Sequence, residues 1–227
     1  VVNPNVPVFT FASGASWTRG SSISNLTPTF VSGAAVTAYS IAPPLPAGLS
    51  FNSNTGEVSG TPLSLSPLRD YTITGSNVGG STSVTTSFAV LEPAPTNLAI
   101  SVPAIYLLGQ TITPVTPTNS GGVVSTYSIS PSLPGGLVFD PATGTISGTP
   151  VELKTVTTYT ITATNSGGST TTTFTLTVND IAPSTLSYAS PIVLERGITI
   201  LPIGPSSSGG RITSYTISPA LSARSEE

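Results

Sequence analysis

The sequence predicts an all-β protein of tandem sandwich domains, each about 88 residues long, with the last one incomplete. Three observations carry that prediction. A long string recurs: LPAGLSFNSNTGEVSGTP at 45–62 returns as LPGGLVFDPATGTISGTP at 133–150, so Leu45 and Leu133 stand 88 residues apart, as do Gly60 and Gly148. The stretches between these strings alternate apolar and polar residues with the two-residue period of a half-buried strand. Clusters of Gly, Pro and Asn separate them, and no stretch combines a 3.6-residue period with helix caps.

The repeat is carried by aromatic and glycine positions. Tyr39, Tyr127 and Tyr215 follow one another at 88 residues, in YSI, YSI and YTI. Tyr71 and Tyr159, Asn77 and Asn165, and the pairs Gly79-Gly80 and Gly167-Gly168 keep the same interval. Gly109 and Gly197 are also 88 apart, but Gly20 and Gly109 are 89 apart. The first repeat therefore carries one extra residue between Gly20 and Tyr39, which we assign to an FVSG loop at 30–33.

Within a repeat, YTITAT (159–164) puts Tyr159, Ile161 and Ala163 on one face and Thr160, Thr162 and Thr164 on the other. TFTLTV (173–178) alternates likewise, with Phe174, Leu176 and Val178 inward. NSGGS between them is a turn rich in residues that tolerate positive φ, so the pair reads as a hairpin with an apolar face and a threonine face. Threonine is β-branched and holds a strand extended without charge. Several short strands per repeat suggest a sandwich of about seven.

Two full domains are expected near 5–92 and 95–180, joined by proline-containing linkers at 91–97 and 179–185. Short proline linkers make a semi-rigid array. Residues 1–4 read as the tail end of a preceding unit, since VVNPNVP is similar to VNDIAP at 178–183. Residues 183–227 read as a partial third domain with its first strands only, whose pattern breaks after Leu221; SARSEE is an unrelated tail, a cloning remnant or a degenerate end. Val1-Val2-Asn3 is an unusual start, consistent with a removed leader.

The order LPxGLxFxxxTGxxSGTP followed by YTITxxNxGGS resembles the immunoglobulin-like, cadherin-like tandem repeat of large bacterial surface proteins. The match covers both full units and about half of the third. The resemblance implies immunoglobulin-like β-sandwich domains and extracellular, structural or adhesive roles; it implies no particular ligand.

Each repeated residue also has a reading as a folding residue. Leu45 and Leu133 open the motif, Gly48 and Gly136 follow, and Leu49–Phe51 and Leu137–Phe139 alternate toward the core. Asn52 to Gly56, and Asp140 to Gly144, then turn the chain: Asp140 accepts backbone N–H bonds, Pro141 presets φ, and Gly144 takes a left-handed position. Val58 and Ile146 return to the core, and Gly60-Thr61-Pro62 and Gly148-Thr149-Pro150 end the strand, because proline cannot continue a ladder.

Composition narrows the functional classes. Of 227 residues, 37% are hydrophobic and only 7% charged, against roughly 25% charged in an average domain. Gly 22 and Pro 22 mark a turn-rich chain whose regular spacing argues against disorder. With 6 Lys+Arg and a net charge of −3, no basic patch for nucleic acid or anionic lipid can be built. No apolar run reaches the ~18 residues of a spanning helix, so no membrane insertion is expected. Cysteine and histidine are absent, which removes disulfides, thiol nucleophiles and serine–histidine or cysteine–histidine arrangements. A cysteine-free all-β surface protein fits a bacterial source better than an animal one.

The remaining chemistry is thin. Lys154, the single lysine, sits between GTP and YTIT beside Glu152 and reads as a solvated loop residue; the first domain has no lysine for an isopeptide bond. The nine acids are scattered rather than paired for glycoside hydrolysis. Asp180, in VND before Pro183, is a weak calcium candidate, but calcium needs six to eight oxygens and the matching linker offers only Glu92. Asn25-Leu26-Thr27 has the form of a glycosylation sequon. Trp17 aligns with Tyr106 and Leu194 and reads as a core or inter-strand residue, with an exposed carbohydrate-stacking platform as the alternative, which the Leu in the third unit disfavours; Arg19, Arg196 and Arg211 read as solubilising charges. No enzyme activity and no cofactor are expected.

Three functions remain. One is a structural or adhesive spacer of a bacterial cell-surface or secreted repeat protein, with neighbouring repeats of the same chain as partners and an adhesion ligand the sequence does not name. Another is a filament subunit, in which PIVLERGITILPI (191–203) of one copy is completed by strand addition from another. The third is a carbohydrate-binding adhesion module, which requires clustered exposed aromatics; the sequence shows no such cluster.

Overall fold

A computed structural model describes residues 5–190, 192–193, 195 and 197–219. The expected tail end at 1–4, the aligned Leu194 and Arg196, and the SARSEE end lie outside the described residues.

The first repeat contributes β1 (Val8–Thr10), β2 (Ala15–Thr18), β3 (Thr29–Ser32), β4 (Ala38–Ala42), β5 (Leu49–Phe51), β6 (Val58–Gly60), β7 (Ser66–Asn77) and β8 (Gly80–Leu91). One sheet has the order β2-β8-β7-β4, with β2 parallel to β8 and the other neighbours antiparallel. The second layer is built from β1 paired with β3 and β5 paired with β6, joined by an antiparallel bridge between Leu26 and Val58. The second repeat repeats this plan with β9 (Pro95–Ala99), β10 (Ile105–Leu107), β11 (Thr118–Gly121), β12 (Thr126–Ser130), β13 (Leu137–Phe139), β14 (Ile146–Gly148), β15 (Lys154–Asn165) and β16 (Gly168–Asn179). Its main sheet reads β10-β16-β15-β12, and Val115–Ile146 replaces the bridge. Both are immunoglobulin-like sandwiches of about 88 residues.

Alternation decides which side chains meet. Tyr159, Ile161, Ala163 and Leu176 are fully buried between the layers of the second domain. Their neighbours Thr158, Thr160, Thr162 and Thr164 lie opposite Thr175, Thr173, Thr171 and Ser169 on the outer face, and β12 adds Thr126, Ser128 and Ser130. Over these three strands the face carries hydroxyls, and edge strand β10 adds the exposed Ile105 and Leu107. The two cores are equivalent in shape but not in residues. In the first, Thr86 and Phe88 point inward on β8; in the second, Phe174 and Leu176 occupy those places on β16. One phenylalanine has moved by two residues. Phe88 stacks on Trp17 with centroids 4.8 Å apart, while Phe174 stacks on Tyr159 at 5.4 Å.

Tyr106, on edge strand β10, is buried and its hydroxyl has no hydrogen-bond partner; burial raises its phenol above the ordinary value. Removing an unpaired buried hydroxyl relieves its desolvation cost. Tyr106→Phe is expected to raise the stability of the second domain by about 1 kcal/mol in urea unfolding. An unchanged midpoint would show that the hydroxyl is hydrated in the native state.

The extra residue of the first repeat falls in a strand rather than in a loop. In the first domain Phe9 faces Phe30 and Val8 faces Ser32, which leaves Val31 as a bulge in β3. In the second domain Thr118 faces Ala99 and Ser120 faces Thr96, so the surplus residue is in β9 instead, where Asn97 takes φ 52°. Equivalent strand pairs thus carry their bulge on opposite partners, and this produces the 89-residue interval in one stretch and 88 in the next.

The third unit forms one antiparallel pair, β17 (Pro183–Ser187) with β18 (Ser206–Gly209), bulged on β17 like the second domain. No strand occurs in the described part of 191–203, the segment expected to pair. In the second repeat the matching stretch pairs with β16, which has no counterpart among the described residues.

Candidate functional site at the domain junction

The repeated motif is spread along one end of each sandwich. Leu45, Phe51, Leu133 and Phe139 are half-buried and pack against the cores of their own domains. Gly56 and Gly144 are buried against the rings of Tyr39 and Tyr127. Pro62 and Pro150 are buried, and their carbonyls accept the N–H of Gly20 and of Gly109 at 2.8 Å. Asp140 Oδ2 accepts the Thr143 hydroxyl at 2.7 Å and Oδ1 accepts the Ala142 N–H at 2.9 Å; these bonds, the hydroxyl first, hold its carboxyl below the usual carboxylate range. Gly136 and Gly148 mark a backbone crossing. A Cβ on Gly148 would lie 2.3 Å from the Gly136 carbonyl oxygen, and one on Gly136 would lie 2.0 Å from that of Thr149, with φ of +116° and +87°. Gly48 and Gly60 make the same crossing in the first domain.

The motif's turns line shallow depressions, with Asn54 and Thr55 in the first domain and Ala142 and Thr143 in the second. The side chains that converge on a shared point belong to the junction between the two domains. Asn165 ends β15 and is buried. Its Nδ2 donates to the carbonyls of Pro93 at 2.7 Å and Val123 at 3.0 Å, while its Oδ1 accepts the Gly167 N–H at 2.8 Å. One amide thus closes the hairpin turn and grips the incoming linker. The linker lies so close that a Cβ on Gly167 would sit 1.9 Å from the Glu92 carbonyl oxygen. Asn77 does the same at the entrance of the first domain, donating to Asn5 and Ala34 at 3.2 and 3.3 Å.

Glu92 is held from both sides. From the first domain, Arg19 Nη2 donates to both carboxylate oxygens at 2.7 and 2.8 Å. From the second domain, Ser166 Oγ accepts the Glu92 N–H at 2.9 Å. Arg19 was expected as a solubilising charge; it is a junction residue, because the end of β2 brings it beside the end of β8, where its own N–H also donates to the Leu91 carbonyl at 2.8 Å.

The next junction lacks this ion pair. Asp180 stands where Glu92 does, but Leu108 replaces Arg19, and among the described residues Asp180 Oδ1 accepts the Ile181 N–H alone, at 2.9 Å. Asp180 is exposed, and no group of three or more acidic residues forms among the described residues. Lys154 begins β15 instead of lying in a loop, since the strand extends back through a bulge to pair Lys154 with Val178. Trp17 is half-buried on β2. Asn25 Nδ2 donates to Glu57 at 2.7 Å, and Arg211 is exposed.

Comparison with known proteins agrees with this architecture. The family profile described as "Putative Ig domain" matches residues 2–91 and 94–179. The "Serine-rich adhesin for platelets" of Staphylococcus aureus is 32% identical over 127 residues, 55% of this chain and 5% of the adhesin. The same adhesin of strain MRSA252 is 32% identical over 127 residues, 55% of this chain and 9% of that protein. The chain thus spans under a tenth of these relatives' length. Among solved structures, extracellular domains 3–5 of Drosophila OTK align with a TM-score of 0.48 at 14% identity, over 78% of this chain and 63% of that one. The titin I-band fragment I67–I69 aligns with a TM-score of 0.38 at 17% identity, over 80% and 68%.

Proposed function

Because this chain belongs to the Putative Ig domain family, in two tandem copies similar to part of a bacterial adhesin, we propose that it is a non-catalytic structural segment of a bacterial cell-surface or secreted repeat protein. It acts as a semi-rigid spacer that holds an adhesive region away from the cell, and its partners are the neighbouring repeats of the same chain. The observation that supports this reading is the junction. Glu92 is tied to one domain through its carboxylate and to the other through its N–H, with Asn165 gripping the next carbonyl. A linker held from both sides transmits orientation from one sandwich to the next.

Arg19→Met removes the first tie. Partly exposed ion pairs of this kind contribute about 1 kcal/mol or less, so both domains stay folded. Small-angle scattering is expected to show a narrow distribution of extended shapes for the parent chain and a broader one for Arg19→Met. Equally broad distributions would sink the stiff-spacer reading.

A second reading rests on the third unit. Tyr215 and Leu186 are 56% and 55% exposed, whereas their counterparts Tyr127 and Leu98 are 9% and 7% exposed under β15 and β16. Apolar faces of this extent call for a cover. In the two full units that cover is the unit's own hairpin, β7–β8 or β15–β16; where a second copy gives the hairpin instead, the contact continues head to tail into a filament. Light scattering after size-exclusion chromatography, on the full chain and on a form ending at Asp180, separates the readings. Concentration-dependent growth of the longer form alone supports the filament.

A further inference from the structure

We propose that the first domain carries a binding groove for a neutral saccharide, with Phe30 as the stacking platform. The groove holds about 500 Å³, within the roughly 300–1,000 Å³ of small-ligand sites. Phe30, Gly33, Tyr39, Asn54 and Thr55 line it, and none of its lining residues is charged. The proposal is independent of the spacer reading, which concerns the linker.

Comparison of the repeats isolates what is particular to this groove. The second domain has an equivalent depression of about 440 Å³ over Tyr127. There Asn119 replaces Phe30 and Ala142 replaces Asn54, while Gly121, Tyr127 and Thr143 keep their places. The bulge also differs at this point. It lies in β3 at Val31 in the first domain, next to Phe30, and in β9 in the second. Bulges re-aim the side chains beside them. In the first domain the result is a phenylalanine left 52% exposed at the groove's rim.

Tyr39 and the turn that carries Asn54 are held in place before any ligand arrives. Tyr39 is fixed by an edge-to-face contact with Phe9, centroids 5.5 Å apart and rings at 85°. The Asn54 backbone is fixed by its N–H, which donates to Asn52 Oδ1 at 2.9 Å, so its exposed side chain extends from a closed turn. Pre-ordering of this kind lowers the cost of binding. A flat ring beside an amide and a hydroxyl, without charge, suits one ligand chemistry. A pyranose lays its C–H face on the ring and turns its hydroxyls to Asn54 and Thr55. An anionic ligand would find no cation there.

The test is affinity electrophoresis of the full chain through gels containing laminarin, galactomannan or dextran. At least one polysaccharide is expected to retard the parent. Phe30→Ala should weaken that retardation at least tenfold, and Asn54→Ala several-fold. Phe30→Tyr keeps the ring and should keep the binding. Thr171→Ala, on the hydroxyl face of the other domain, should change nothing. Phe30 is exposed, so its loss leaves the fold intact, which circular dichroism checks. No retardation in any gel, or equal retardation of the parent and Phe30→Ala, overturns the proposal.

Discussion

Tyr159→Ala is expected to unfold the second domain alone, at a temperature where the first remains folded. Tyr159 is fully buried and stacks on Phe174, and the two cores share no residue. Truncating a buried aromatic to alanine costs about 3–5 kcal/mol, from lost transfer energy and from the cavity left behind. For a domain of this size each kcal/mol lowers Tm by about 4–8 °C, so the shift is large. Calorimetry should resolve two transitions, one unmoved and one far below it. A single transition shifted as a whole would show that the junction couples the domains into one cooperative unit.

The next largest effect is expected at Asn165. Asn165→Ala leaves two carbonyls and one N–H without their buried amide partner, in a turn that is itself exposed, at about 1–3 kcal/mol for each group that water cannot reach. A total near 3 kcal/mol is expected from urea unfolding. Asn165→Asp tests the mechanism more closely, because it keeps the size and the acceptor but replaces the donor by a carboxylate facing two carbonyls. That group is stabilised only when protonated, so its folded pKa rises above the unfolded value of about 3.9. Stability should then be highest below that unfolded value and fall as pH rises toward the folded one. At neutral pH the Asp variant is expected to be less stable than the Ala variant. An Asp variant as stable as the parent at neutral pH would mean that the amide donates to neither carbonyl.

These two residues show what can be read from a sequence and what cannot. Tyr159, Ile161 and Ala163 were legible as core, because alternation reports which side of a sheet a residue faces. The turn at Asn165 was legible from its glycines. Its grip on Pro93 was not, because the bond spans 72 residues and depends on where the linker crosses the hairpin. The Arg19–Glu92 pair was hidden for the same reason: the two residues meet only once β2 lies parallel to β8. An insertion near Phe30 could be counted from glycine spacings. Which of two partner strands bulges is a matter of register, and a single strand's pattern does not contain it. Phe30 reads from the sequence as part of an FVSG loop, and only the register with β1 places it on a strand. Lys154 looked like a loop residue because the bulge at the start of β15 interrupts the alternation that marks a strand.

The hydroxyl face of the main sheets has a consequence at the scale of the whole array. A repeat whose outer surface is threonine and serine adds almost no charge as it is copied; the net charge over 227 residues is −3. Long arrays of such repeats are therefore not polyelectrolytes. Their reach is not swollen by self-repulsion in dilute salt, nor does it collapse when ions screen it. Contour is set by folded geometry alone, and the response to ionic strength is concentrated in joints such as Arg19–Glu92. In the proposed spacer, salt would loosen that junction and leave the sandwiches unchanged.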